Sequence, residues 1–151
     1  MRLGAMSKRP ESLRIRLARP DERLDLEALQ RRASLALPEY RAQLEAHPDA
    51  IELPAEQIEQ GRVIVAELDG RVAGFAAVFG GELDGLFVEP DLWRQGIGTA
   101  LVEEATHEAR RRGFTLAVTA ALGARDFYEH CGFSVEGDAQ TRFGPALRMS
   151  R

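Results

Sequence analysis

The sequence has a single cysteine, Cys131, and three histidines in 151 residues. One cysteine excludes an intramolecular disulfide and favours a reducing compartment, so we expect a cytoplasmic protein. His47, His107 and His130 lie far apart in the sequence and have no ligand-type partner at helical or strand spacing. The sequence therefore predicts surface or packing roles for the histidines and no metal site.

Long apolar runs and clusters of basic residues with aromatics are also lacking. No apolar stretch approaches the roughly 20 residues of a membrane span, and the first residues show no apolar signal segment. The net charge of −4 gives no general attraction for nucleic acid. The basic triplet at residues 110–112 suits a helix C-terminus, where cations interact favourably with the helix dipole. We therefore expect neither a membrane protein nor a nucleic-acid-binding protein.

The composition is that of an ordinary globular domain, with 44% hydrophobic and 29% charged residues. Residues 1–12 offer charge and a proline without apolar periodicity, so they predict a disordered tail. Residues 13–151 predict one domain. Within it, Leu13, Ile15 and Leu17 alternate with arginines, which is typical of a strand with one wet face.

Helical and strand patterns alternate along the rest of the chain. Asp21 is a candidate N-cap for a first helix, and Asp69-Gly70 between two β-rich runs is the strongest local signal of a hairpin. Further predicted elements are a short helix over residues 39–46, a strand over Glu82–Val88, a helix over residues 99–112, a strand over residues 114–119, a short helix over residues 124–130, and closing strands over residues 133–135 and 146–149. The strand, helix and strand from Glu82 onward predict a parallel crossover. The order predicts an α/β (α+β) fold, with a mixed sheet and helices on both faces.

The turn at residues 93–99, WRQGIGT, places two glycines where a helix begins. Free N–H groups at a helix N-terminus bind anions, and glycine lets a ligand approach the backbone closely. A dinucleotide-binding turn would need a third glycine, and a P-loop would need Lys-Ser or Lys-Thr after the glycines, and neither is present. The turn therefore serves either another anion or tight packing between a strand and a helix.

With these residues, the chain resembles the GCN5-related N-acetyltransferase (GNAT) family. LFVEPDLWRQGIGTALVEEA, residues 86–105, resembles the acetyl-CoA motif of that family, a strand followed by Q/R-x-x-G-x-G/A and a helix. ARDFYEHCGF, residues 124–133, resembles its downstream block. The chain departs from the family pattern at Trp93, where Gln or Arg is usual, and at Ala121, where relatives often carry Asn. The resemblance implies the GNAT fold, with a mostly antiparallel central sheet, and N-acetyltransferase activity towards a primary amine.

The resemblance also implies how acetyl-CoA is held. Backbone N–H groups of the glycine turn would bind the pyrophosphate, and a strand with free backbone groups would bind the peptide-like pantetheine arm. The implied residues are Arg94, Gln95, Gly96, Ile97, Gly98 and Thr99 in the turn, and Leu86, Phe87 and Val88 in the strand. Gly85 just before them is typical of a bulge or a close backbone approach.

Transfer to an amine requires a base and an acid. An alkylammonium must lose a proton before it attacks, and Glu82 or Asp84, two apart on the strand, are candidates for the base. The departing CoA thiolate needs a proton, and the resemblance implies that Tyr128 supplies it. Two solvated carboxylates at a strand start, and a tyrosine that only packs, remain the alternatives. Cys131 lacks a His and acid pattern, which favours packing over covalent catalysis.

Two alternatives for function stay open. The chain could be a regulatory module that binds acyl-CoA without turnover, or it could use a different acyl-CoA, because these residues recognise the CoA arm and not the acyl tail. The acceptor would be gripped by the segment between the first two helices and by a late loop over residues 137–143. Acidic residues in the earlier segment weakly favour a cationic amine, such as a polyamine, an aminoglycoside-like compound or a protein amino group. Homodimerisation is frequent in such enzymes and stays an open expectation.

Overall fold

The computed structural model describes residues 12–151. The predicted disordered tail lies outside this part of the chain, except for Ser12 in a turn. The described residues form a seven-stranded sheet in the order β1-β2-β3-β4-β5-β7-β6. The strands are β1 (Leu13–Leu17), β2 (Val63–Leu68), β3 (Arg71–Phe79), β4 (Glu82–Val88), β5 (Ala117–Ala121), β6 (Ser134–Thr141) and β7 (Gly144–Ser150). Neighbouring strands are antiparallel except β4 and β5, which are parallel, so the predicted mixed and mostly antiparallel sheet is confirmed.

Helices cover the sheet on both faces, as predicted. The helices longer than a single 3-10 turn among the described residues are α1 (Arg23–Leu35), α2 (Pro38–Ala46), α3 (Ala55–Glu59), α4 (Ile97–Arg111) and α5 (Arg125–His130). Helix α4 connects β4 to the parallel β5, which confirms the predicted crossover. Its last turn holds Arg110 and Arg111, at the end of the helix dipole that favours cations. No helix of the described part of the chain is long and apolar enough to cross a bilayer.

Two groups of buried apolar side chains hold these layers together. One lies between α4 and the sheet and includes Leu101, Val102, Ala105, Ala76, Leu83 and Val118. The other lies on the opposite face and consists of Leu26, Leu29, Leu53, Ile58, Val63, Val65 and Phe75. Burying each large aliphatic side chain contributes about 2 kcal/mol, so both faces of β2 and β3 are firmly packed.

The β2–β3 hairpin turns at the predicted Asp69-Gly70. Both residues have positive φ, 52° for Asp69 and 81° for Gly70. Positive φ at both central residues is the geometry of a type I′ turn, which matches the twist of the strands it joins. This prediction is confirmed down to the turn residues.

The start of α1 differs from the prediction. A 3-10 turn over Pro20–Glu22 precedes the helix, and Asp21 is not the N-cap. The carboxylate of Glu22 accepts a hydrogen bond from the backbone N–H of Arg19 at 2.8 Å and two from the guanidinium of Arg16, at 2.9 and 2.7 Å. The Arg16 guanidinium holds the pKa of Glu22 below its usual range, against the effect of burial. Glu22, held by Arg16 of β1, therefore caps this turn through the N–H of Arg19 in place of Asp21.

The C-terminal strands also differ from the prediction in their limits. β5 begins at Ala117, three residues later than expected, and the predicted late loop is mostly strand β6, which runs to Thr141. β6 is an edge strand with mainly exposed side chains on both faces, so its sequence shows no apolar alternation. Only Arg142 and Phe143 form the tip of this hairpin.

Candidate active site between strands β4 and β5

The sheet opens between its two parallel strands. Among the described residues, β4 and β5 pair only through Glu82 with Ala117 and Leu83 with Val118. Beyond Leu83, β4 continues to pair with β3, while β5 pairs with β7. The second half of β4 therefore has one side without a strand partner, next to a gap in the sheet.

A β-bulge marks the point where the strands part. Ala77 of β3 pairs with Gly85 and the next residue, Val78, pairs with Leu83, so Asp84 is the extra residue of β4. A Cβ built on Gly85 would lie 2.7 Å from the Phe87 ring, closer than side chains tolerate. The bulge bends β4 and re-aims its side chains, which confirms the prediction made from Gly85.

Strand alternation decides which backbone groups of β4 face the gap. The N–H of Glu89 donates to the carbonyl of Ala73 on β3 at 2.8 Å, so Phe87, two residues earlier, also faces β3. The ring of Phe87 packs on Phe75, with 5.3 Å between ring centroids. Of the three predicted strand residues, Leu86 and Val88 direct their backbone groups into the gap, and Phe87 supports them from the other face.

The glycine turn lies at the open end of β4. Arg94 and Gly96 both have positive φ, 68° and 82°, and Gly96 caps α4 in the left-handed region. The first helical hydrogen bond runs from the N–H of Ala100 to the carbonyl of Gly96, at 3.0 Å. The N–H groups of Ile97, Gly98 and Thr99 precede it and have no helical carbonyl to bond. They form an N-terminal set suited to an anion.

Side chains of the predicted turn have different surroundings. Arg94 and Gln95 are exposed, which leaves them free to contact a ligand. The side chain of Thr99 opposes the effect of burial on the pKa of the Cys131 thiol, and the N–H of Thr99 belongs to the anion-binding set. Gly98 has a packing role as well, since a Cβ there would lie 3.3 Å from the ring of Phe127 and 3.8 Å from Val88.

Trp93 connects the turn to the strand. Its indole Nε1–H donates a hydrogen bond to the carbonyl of Val88 at 2.8 Å. Trp93 is 40% exposed. The family pattern has Gln or Arg at this position. Here the single N–H of the indole is bonded to the last residue of β4 and is not free to contact a ligand.

The two candidate bases have different partners. Both oxygens of Glu82 accept hydrogen bonds from Arg148, at 2.7 and 2.8 Å, and Thr119 accepts a third from the same guanidinium at 3.1 Å. Asp84 has one contact, from Arg62 to Oδ2 at 3.4 Å. Burial raises the pKa of the Asp84 carboxyl, the neighbouring Glu82 raises it further, and Arg62 opposes both.

Tyr128 lies in α5 and is only 7% exposed. Its ring packs on Phe127 and Phe133, with centroids 5.0 and 5.3 Å away. Burial raises the pKa of Tyr128, with smaller contributions from Cys131 and Tyr40. The phenol is therefore protonated at any physiological pH and available as a donor.

Helix α2 meets the hairpin of β6 and β7 near this tyrosine. Tyr40 makes an edge-to-face contact with Phe143 at 6.0 Å, and the side-chain N–H of Gln43 donates to the carbonyl of Phe143 at 3.4 Å. The two segments that the sequence assigns to the acceptor, the one after α1 and the one around Phe143, are thus in contact.

The sequence did not point to Arg148, Arg62 or Tyr40. Arg148 and Arg62 lie 66 and 22 positions from their carboxylate partners, so no local spacing could reveal them.

Cys131 is buried, and its thiol pKa is raised chiefly by burial, as expected of a packing residue. The three histidines are exposed, which confirms a surface role. In the described part of the chain, no group of three or more His, Cys, Asp or Glu is placed to hold a metal ion.

A mixed sheet that opens beside a glycine turn, with a buried tyrosine nearby, is the arrangement of an acyl-CoA N-acyltransferase. The model of the Acetyltransferase (GNAT) family matches residues 28–133. Peptidyl-lysine N-acetyltransferase YjaB of Salmonella typhimurium is 35% identical over 138 residues, covering 85% of this chain and 88% of the relative. The chain belongs to the GNAT family of acetyltransferases.

Solved structures agree with this assignment. The solution structure of apo-form YjaB from Escherichia coli has a TM-score of 0.70 and 27% identity, with 91% of this chain and 96% of that chain covered. PaiA N-acetyltransferase from Thermoplasma acidophilum, solved in complex with coenzyme A, shares the fold with a TM-score of 0.72 and 19% identity, covering 93% and 99% of the two chains.

Proposed function

We propose that this N-acetyltransferase transfers the acetyl group of acetyl-CoA to the side-chain amine of a peptide or protein lysine. The gap between β4 and β5 beside the N-terminus of α4 carries the cofactor part of the proposal. The 35% identical relative that is a peptidyl-lysine N-acetyltransferase supports the acceptor. A cytoplasmic location stays a prediction from the cysteine content. A homodimer also stays a prediction, which a measurement of the molecular mass in solution would test.

The cofactor would lie along the gap. Its pyrophosphate would meet the N–H groups of Ile97, Gly98 and Thr99, where the helix dipole favours negative charge. Its pantetheine amides would pair with Leu86 and with the N–H of Val88 as an added strand does, since the Val88 carbonyl accepts from Trp93. A gap-facing N–H of β4 beside the thioester would polarise its carbonyl.

We assign the base to Asp84. Its carboxylate has a single long contact, whereas both oxygens of Glu82 are engaged by Arg148. A raised pKa brings Asp84 closer to the value at which a base works well near neutral pH. Glu82 then acts indirectly. Its charge helps to raise the pKa of Asp84, and its bonds to Arg148 connect β4 to β7.

The transfer proceeds by direct attack of the lysine amine on the thioester. Asp84, directly or through a water, takes a proton from the lysine ammonium, and the neutral nitrogen forms a bond to the thioester carbon. The carbon–sulfur bond breaks with its electron pair on sulfur. Tyr128 donates its hydroxyl proton to the departing sulfur, and the second proton of the amide nitrogen restores that hydroxyl through a water. Asp84 releases the proton that it took to solvent. The products are the acetylated amine and CoA thiol.

The test is release of CoA thiol with acetyl-CoA and defined acceptors. We expect turnover with a lysine peptide whose α-amine is blocked, and none with the same peptide dimethylated at the lysine. Spermidine and an aminoglycoside serve as small-amine comparisons. Higher turnover on either would overturn the lysine assignment and keep the enzyme class, while binding of acetyl-CoA without turnover on any amine would indicate a silent module. Propionyl-CoA and succinyl-CoA decide the acyl donor.

A further inference from the structure

Trp93 makes a contact that the turn itself does not require. Four residues separate it from Val88, and the side-chain hydrogen bond at 2.8 Å closes this connection into a ring. The connection contains the 3-10 turn Pro90–Leu92, and the backbone N–H of Trp93 reaches the carbonyl of Pro90 only at 3.4 Å. The indole bond is therefore the shorter of the two interactions that hold Trp93 here.

The acceptor of this bond belongs to the gap. Val88 follows Phe87 and precedes Glu89, both of which face β3, so its carbonyl points away from β3. The indole N–H satisfies this carbonyl from the turn. The end of the strand and the start of the turn are thereby joined at one atom pair.

The residues after Trp93 need such an anchor. Arg94 has φ of 68°, a left-handed conformation that costs a non-glycine residue energy, and Gly96 follows with φ of 82°. A backbone in this conformation persists only when its surroundings hold it. Trp93 directly precedes the strained Arg94 and is tied to β4.

We infer that Trp93 is a positioning residue for acetyl-CoA, because its indole N–H fixes the phosphate-binding turn to the end of the strand that binds the pantetheine arm. The inference rests on the proposed cofactor site. Acetyl-CoA has to meet both parts at once, so a turn that moves relative to the strand would lose affinity. Chemistry at the thioester, farther along β4, would be unaffected once the cofactor is bound.

Two substitutions separate hydrogen bonding from ring packing. The side-chain nitrogen of glutamine is as many bonds from Cα as Nε1 of tryptophan, so W93Q can restore the donor, whereas W93F keeps a ring without one. For W93F we expect the Kd and KM of acetyl-CoA to rise about fivefold, as for loss of one hydrogen bond, with kcat unchanged. W93Q should keep the Kd within about twofold of the wild type.

The outcomes are distinguishable by calorimetry and steady-state kinetics. Retained affinity in W93F with loss in W93Q would show that the ring only packs, and equal affinity in all three proteins would show no role; both overturn the inference. F114L is the matched control, since Phe114 is half exposed and lies against Gly80 and Gly81 at the other end of β4. It should bind acetyl-CoA like the wild type. If the wild type itself fails to bind acetyl-CoA, the proposed function fails, whatever Trp93 does.

Discussion

The two ends of β4 differ in the strands with which their backbone groups pair. At its start, Glu82 and Leu83 pair with β5 as well as with β3, and Glu82 is bonded across β5 to Arg148. At its end, Leu86 and Val88 pair with β3 alone. The first end holds the two halves of the sheet together, and the second leaves hydrogen-bonding groups for a ligand. Variants at the open end should therefore change kinetics, and variants at the closed end should change stability.

The largest effect is expected at Tyr128. Y128F removes the proposed donor to the departing sulfur and keeps the packing on Phe127 and Phe133, so kcat should fall about a hundredfold, as for loss of a general acid. The Kd of acetyl-CoA should stay within twofold. Single-turnover kinetics and calorimetry measure the two quantities. Full activity of Y128F would remove Tyr128 from the mechanism.

A smaller effect is expected at Asp84. D84N should lower kcat/KM about thirtyfold and abolish the fall in activity at acid pH. Because the pKa of Asp84 is raised, the base is lost as pH falls through a value above the usual aspartate range. Arg62 lowers this pKa, so R62Q should move the acid limb to higher pH.

The same shift gives a control for stability. A carboxyl whose pKa is raised by folding stabilises the fold when protonated, and that contribution is lost as the pH rises through the raised pKa. D84N is therefore expected to keep or slightly raise the Tm at pH 7. An acid limb unchanged in D84N would point to Glu82 as the base.

Next in size is the effect of filling the turn. G98V places carbon atoms against the Phe127 ring and Val88, so the turn must shift, and the Kd of acetyl-CoA should rise about tenfold. G137A is the matched control, because nothing lies within 4 Å of a Cβ there. Calorimetric titration compares the two. Equal affinities would mean that the turn is not the phosphate site.

The smallest effect is expected at the closed end. R148Q leaves Glu82 without its bidentate partner, but both side chains are about one-third exposed, so the cost should be below about 1 kcal/mol. A chain of this size would lose up to about 4 °C in Tm. The Kd of acetyl-CoA should not change. Weaker cofactor binding at unchanged Tm would contradict the division between the two ends.

Local sequence signals predicted the parts of the fold that depend on neighbours in the chain. The Asp69-Gly70 turn needs only two adjacent residues, and the bulge was foreshadowed by Gly85 in mid-strand. The sequence predicts a strand only for the start of β6 and a loop from residue 137, because an exposed edge strand has no buried face to impose a period of two. The prediction of Asp21 as the first cap is wrong because Glu22 bonds the N–H of Arg19 and is held there by Arg16 of β1.

The candidate site divides in the same way. The glycine turn and the Phe-Tyr of α5 could be recognised as motifs, since each lies within one short segment. The partners that distinguish Glu82 from Asp84 come from β7 and from the residue before β2, and only the folded sheet brings them together. Trp93 was noticed as a departure from the family pattern, but its bond to Val88 depends on how the intervening turn closes.

The gap in the sheet can also exclude the strands of other proteins from the unpaired groups of β4. Unpaired strand groups ordinarily invite the strands of other proteins, which makes an outer edge an aggregation hazard. Here the unpaired stretch of β4 is recessed, with β5 and β7 continuing the sheet beyond it. A polypeptide strand brings side chains on alternating faces, which need room above and below the sheet. Pantetheine has the amides of a peptide with little side-chain bulk, so a slot inside a sheet can admit the cofactor and refuse the peptide.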